Sequence, residues 1–111
     1  MYDLATIEDF ETALQRSEDE PVLIYKHSSI CALSFRARWH VKSIDDGDVP
    51  VFEVVVQRSR DVSNEIEARL GVRHETPQLL LVKDRTVLYH DSHTAITKKA
   101  IRRQLEAQQP K

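Results

Sequence analysis

Ile7, Phe10 and Leu14 recur at helical spacing behind Thr6, and Asp9 stands three residues after Thr6 as in a capping box. The pattern predicts an amphipathic helix over residues 6–17, ended by Pro21. VLIYK, residues 22–26, is a short unbroken apolar run and predicts a strand buried on both faces. Ser28 and Ser29 are good caps for the next helix, residues 31 to about 44, with Leu33, Ala37, His40, Val41 and Ile44 as its inner stripe and DDGD as its end. VPVFEVVV, residues 49–56, predicts a second strand. Asp61 then caps a short helix carrying Val62, Ile66 and Leu70, which Gly71 stops. PQLLLV, residues 77–82, and TVLYH, residues 86–90, are strands joined by a tight turn at KDR. Thr94 caps a last helix with Ile96, Ala100, Ile101 and Leu105 inward.

The predicted order is α, β, α, β, α, β, β, α. Strands that alternate with helices imply an α/β domain whose sheet is covered on both faces. The first two strands, joined by a helix, should run parallel, and the last two should form an antiparallel hairpin. This arrangement resembles the thioredoxin fold. The expectation is a thioredoxin-like, four-stranded mixed sheet flanked by helices, with an extra N-terminal helix, in a single domain over residues 1–111.

Composition narrows the function classes. Hydrophobic residues make up 41% and charged residues 31%, as in an ordinary globular domain with enough chain for a core. The net charge is −2 and no basic stripe stands out along the sequence, so no nucleic-acid partner is expected. The start, MYDLATIEDF, lacks a basic, apolar secretory signal, and no apolar run approaches the ~20 residues that span a bilayer. A single cysteine excludes an internal disulfide. These features point to a reduced compartment, the cytoplasm, with no membrane partner. QQPK reads as a frayed tail.

The one cysteine, Cys31, sits in KHSSICALS, between a predicted strand and a predicted helix. In the first turn of that helix it would meet backbone N–H groups that have no partner within the helix. Such a setting favours the thiolate, the nucleophilic form. Ser34, three residues on, is close enough to donate its hydroxyl to the sulfur, and Lys26 and His27 are near in sequence. The loop also lies at the carboxyl end of the first strand, where open α/β sheets bind ligands. A lone cysteine is equally often a small buried hydrophobe, and both readings stand at this point. Thr76-Pro77 precedes the third strand, where proline fits. A cis bond there would expose the Thr76 backbone to a peptide or thiol ligand; the sequence leaves the isomer open.

Three segments carry a resemblance over nearly the whole chain: VLIYKHSSICALS, GVRHETPQLLLV and VLYHDSHTAIT. Together they resemble the thioredoxin superfamily and, within it, the monothiol bacilliredoxins, the YtxJ-like proteins of the bacillithiol system. The matching residues are Lys26-His27-Ser28, Cys31, Ser34, His74-Glu75-Thr76-Pro77-Gln78 and Ser92-His93. The family commonly has proline after the cysteine; this chain has Ala32. The resemblance implies thiol–disulfide exchange with bacillithiolated proteins. Bacillithiol would be the co-substrate, with no bound cofactor and no metal. Cys31 and Ser34 would be catalytic, and Thr76, Pro77, Lys26, His27 and His74 would face the substrate.

Two other readings stay open. C-A-L-S loosely resembles the C-G-F-S of monothiol glutaredoxins that carry an iron–sulfur cluster, although the paired glycines of that family are missing here. A thioredoxin-fold binding module with an inert Cys31 is the other. His90 and His93 lack companions at zinc spacing. The plain expectation for His74 and His93 is that they satisfy buried backbone groups. His40 is expected as a packed core histidine and Trp39 as packing.

Overall fold

The computed structural model describes residues 1–44 and 49–108. The expected DDGD stop at residues 45–48 and the last three residues of the chain fall outside them. Ten elements follow one another: β1 (Tyr2–Asp3), α1 (Ile7–Arg16), β2 (Val22–His27), α2 (Ala32–Ile44), β3 (Val51–Val55), α3 (Arg60–Leu70), β4 (Gln78–Lys83), β5 (Thr86–Ser92), a 3-10 turn (His93–Ala95) and α4 (Lys98–Ala107).

The sheet has five strands in the order β1-β3-β2-β4-β5. β2 lies parallel to β3 and antiparallel to β4, and β4 and β5 form the expected hairpin. Its two turn residues, Asp84 and Arg85, both have positive φ (52° and 62°), which matches the twist of a two-residue hairpin. The fold is the α/β, thioredoxin-like arrangement expected, with one strand more. β1 pairs only Tyr2 and Asp3 with Phe52 and Glu53 of β3. A two-residue strand carries no readable period, so the sequence pattern passed over it.

Alternation along β2 divides the core. Val22 and Ile24 join Phe10, Leu14, Val62 and Ile66 on the α1/α3 face. Leu23 and Tyr25 join Ala37, Val41, Ile44 and Ile101 on the α2/α4 face. All six residues of β2 are buried, as its unbroken apolar run implied.

Several caps and faces differ from expectation. Thr6 and Asp9 form the capping box foreseen for α1. Ser59, not Asp61, stands at the start of α3, and Thr97, not Thr94, caps α4 by accepting the Ala100 N–H at 3.2 Å. Residues 93–95 form a 3-10 turn instead of a first α-turn, because the extended backbone of Ile96 (ψ 99°) and Thr97 (ψ 151°) separates them from α4. The inner stripe of α2 is Ser34, Ala37, Val41 and Ile44. Leu33 is exposed, and His40 is half-buried with its Nδ1 accepting the Lys98 N–H at 3.1 Å. Trp39, expected as packing, is 67% exposed. Gly71 ends α3 in the left-handed region (φ 72°), where only glycine is unstrained.

Thr6→Ala removes one side-chain acceptor from the start of α1, and the expected cost is about 1 kcal/mol. Urea unfolding of the two proteins, compared by midpoint at equal slope, checks it.

Candidate functional site

Cys31 lies one residue before α2, at the cap position itself. The sulfur therefore occupies the place that a serine or aspartate oxygen takes in an ordinary cap. At that place it faces the first-turn N–H groups of Leu33 and Ser34, with the Ser34 hydroxyl on the same turn. These donors, the Ser34 N–H foremost, hold the thiol below its usual pKa against the raising effect of partial burial. The side chain is half-buried, so the sulfur is not sealed in the core.

Ser34 is fully buried and organises this cap. Its N–H also lies 3.0 Å from the Cys31 carbonyl. Its Oγ accepts the Ser28 N–H at 3.2 Å, and its carbonyl accepts the Tyr25 hydroxyl at 2.7 Å. Tyr25 has one proton and gives it to Ser34, so the 3.2 Å contact between Tyr25 Oη and His27 Nδ1 requires His27 to donate. His27 therefore carries a proton on Nδ1. Burial holds its pKa down, and burial raises that of Tyr25. The His27 ring also meets Phe35 edge-on at 5.0 Å.

Ser28 and Ser29 do not cap α2 as the sequence led us to expect. Gln57, just past β3, holds them instead. Its Oε1 accepts the Ser29 N–H at 3.0 Å and its Nε2 donates to Ser28 Oγ at 2.8 Å. Gln57 lies in no motif, and a lone glutamine after a strand gives no signal in a single sequence.

Lys26 points to the opposite face of the sheet from His27. Expected beside the substrate, it is inside, with 0% exposure. Its Nζ lies 3.1 Å from His74 Nδ1 and 3.4 Å from the Ser63 carbonyl. The Ser63 hydroxyl also reaches His74 Nδ1, at 3.2 Å. Nδ1 therefore accepts, and the His74 proton sits on Nε2. Burial and the Lys26 charge hold the His74 pKa down. The ring satisfies a buried ammonium rather than a backbone group, while Glu67 Oε1 accepts the His74 backbone N–H at 2.6 Å. His93 is exposed and works through its backbone, donating N–H to the Pro77 carbonyl at 3.0 Å.

The Thr76-Pro77 bond is cis. Thr76 is half-buried and Pro77 buried, immediately before β4. Gln78 of β4 pairs with Lys26 of β2, so the Thr76-Pro77 edge and the loop leading to Cys31 lie at the same end of neighbouring strands. The fold thus gathers all the candidate residues at one sheet end. Cys31, Ser34 and His27 lie on the α2 side, Lys26 and His74 on the α3 side, with Thr76 and Pro77 at the strand entry. Among the described residues, no group of three or more His, Cys, Asp or Glu could hold a metal. No helix among them is long and apolar enough to cross a membrane.

Two outcomes follow from these pKa directions. Alkylation of Cys31 by iodoacetamide should show a midpoint below the ~8.5 of a free thiol, and Ser34→Ala should move it up. Burial lowers the Lys26 ammonium from 10.5 to about 8. Between those values the unfolded chain binds more protons than the folded one, so the Lys26 contribution to stability rises with pH through that window. Relative to Lys26→Met, the wild type should gain roughly 3 kcal/mol of unfolding free energy from pH 8 to 10.5, read by denaturant titration.

The comparisons with known proteins agree with this fold. The family model described as monothiol bacilliredoxin BrxC matches residues 2–101. A solved structure described as a candidate oxidoreductase with a thioredoxin fold is 25% identical, with a TM-score of 0.85 over 95% of this chain and 92% of that one. Fasciola hepatica thioredoxin is 14% identical, with a TM-score of 0.81 over 98% and 100%. Mitochondrial thioredoxin 3 of Saccharomyces cerevisiae is 16% identical, with a TM-score of 0.74 over 96% and 94%. The two thioredoxins establish the fold alone. The family match spans nearly the whole chain, and the chain belongs to the monothiol bacilliredoxin family, a thioredoxin-fold group with thiol–disulfide redox function.

Proposed function

We propose that this chain removes bacillithiol from protein mixed disulfides, with Cys31 as the nucleophile. The observation that carries the reading is the sulfur's place directly before α2, half-buried, at the sheet end that also holds the cis Thr76-Pro77 edge. The Cys31 thiolate attacks the bacillithiol sulfur. A disulfide forms between Cys31 and bacillithiol as the bond to the target protein breaks. The target leaves as a thiolate and takes a proton from water. One disulfide replaces another, so no external oxidant or reductant enters this step.

Ser34 stands where a dithiol redoxin has its second cysteine, and a hydroxyl cannot displace a disulfide. With one cysteine in the chain, the adduct is cleared from outside. A second bacillithiol attacks the carried sulfur, leaves as bacillithiol disulfide and restores the Cys31 thiolate; another redoxin can serve in the same way. The Thr76-Pro77 edge receives the target backbone, and His74 offers an Nε2–H donor beside it. His27 and Lys26 act from inside by holding these two loops. Bacillithiol is a co-substrate here, not a bound cofactor. A bacterial cytoplasm, reducing and supplied with a small thiol, is the compartment this chemistry needs.

Incubated with a bacillithiolated protein and no free thiol, the wild type should gain one bacillithiol-sized mass on Cys31 and release the reduced target. Cys31→Ala should keep its fold and release none. Release by Cys31→Ala at the wild-type rate overturns the proposal.

A further inference from the structure

Charge is sorted by sheet face. α1 and α3 carry six acidic residues against three Arg, whereas α2 and α4 carry seven Lys or Arg against one acid, Glu106. The pairing differs as well. Arg16 with Glu20, Arg69 and Arg85 with Glu11, and Arg85 with Glu18 neutralise one another on or beside α1 and α3. On the other face, among the described residues, only Arg38 is matched, by Glu53 of β3. Lys98, Lys99, Arg102 and Arg103 have no side-chain partner among the described residues.

Those four cations stand at helical positions i, i+1, i+4 and i+5, one continuous side of α4. With His40 of α2, Thr97 and Glu106 they line a cavity of about 550 Å³, in which four cations face one carboxylate. Trp39 meets the His40 ring edge-on at 5.0 Å and is 67% exposed. Phe35, one turn nearer Cys31, is exposed as well, and so is Ile30 beside Cys31 (85%). Large apolar side chains thus run from the sulfur along the outer side of α2 to the basic cavity. The distance from Cys31 to Trp39 along the helix is about 12 Å. An ordinary protein interface of about 800 Å² per partner is roughly 30 Å across and covers both.

We propose that this α2/α4 face is the docking surface for an acidic segment of the target protein, with Trp39 and Phe35 as apolar anchors and the α4 cations as the charge complement. The inference rests on the exchange reading for its biological meaning, but not for its test. Charge complementarity selects the occupant. A solvated face in a chain of net charge −2 would be expected to mix signs evenly, and this concavity sets four cations, without ion-pair partners among the described residues, against the single carboxylate of Glu106. Attraction of this kind orients the encounter so that the incoming mixed disulfide meets the cap of α2.

Trp39 is the sole tryptophan, so its emission reports on the patch. Cys31→Ser protein, unable to exchange, is titrated with a cysteine-free peptide rich in Asp and Glu with one Leu. A matched Lys-rich peptide serves as control. At about 50 mM salt the acidic peptide should shift the emission to the blue with a saturable curve, and the shift should weaken at least tenfold in affinity at about 500 mM. The Lys-rich peptide should leave the spectrum unchanged. K99E, R102E and R103E combined, all at exposed positions, should abolish the shift at unchanged thermal stability. Absence of a shift with the acidic peptide, an equal shift with both peptides, or a full shift in the charge-reversed protein overturns the docking proposal. None of these results depends on Cys31 chemistry, which the mass assay tests separately.

Discussion

Ser34 has no solvent exposure, yet each of its polar groups is engaged. Its N–H and hydroxyl serve the Cys31 sulfur, its Oγ takes the Ser28 N–H, and its carbonyl takes the Tyr25 hydroxyl. A buried hydroxyl without partners would cost on the order of 1–3 kcal/mol, so the arrangement holds only when Ser28, Cys31 and Tyr25 are all in place. The helix start, the strand end and the sulfur are fixed by one another through this residue. A serine fits the position on two grounds. It fills the volume of a small side chain, and it supplies a donor that a thiol supplies only weakly.

The period of the sheet then distributes the rest. One step along β2 turns from Lys26 to His27 and so from one face to the other. Beneath α3, Lys26 and Ser63 hold His74 and with it the segment that leads to Pro77. Beneath α2, His27 and Tyr25 support the cap. Both are polar arrangements at the end of a strand that is otherwise apolar; the Tyr25–His27 pair is buried, and the Lys26 group reaches the surface through His74. The part of the site open to a partner is consequently small: the sulfur, Thr76, the outer edge of His74 and the apolar residues flanking α2.

Much of this was legible in the sequence. The four longer strands, the helices and the α1 capping box follow from period and turn chemistry, and the position of Cys31 at a helix start followed from the strand before it. What was not legible has physical causes. Two-residue β1 is too short to show a period. Helical spacing fits more than one stripe on α2. Leu33 and His40 satisfied it on paper, whereas the sheet selected Ser34, because a buried serine is acceptable once Tyr25 and Ser28 meet it. Lys26 reads as a surface charge in any single sequence, and only the pairing of β2 with β4 and the packing of α3 enclose it. Gln57 and Ser63 act through tertiary contact alone. The sorting of charge by face is invisible along the chain, since the basic helices α2 and α4 are separated by more than fifty residues and come together only through the sheet.

The absence of a second sulfur within reach of the first has a consequence for how the molecule behaves between turnovers. A redoxin with two cysteines stores its oxidising equivalents privately, in a ring that closes at an effective concentration set by its own geometry. This chain has no such ring to close. In the exchange proposed above, the fraction of molecules carrying an adduct is set by the ratio of free to oxidised small thiol around them. A chain working in that way keeps no oxidising equivalents of its own, and its occupancy follows the surroundings.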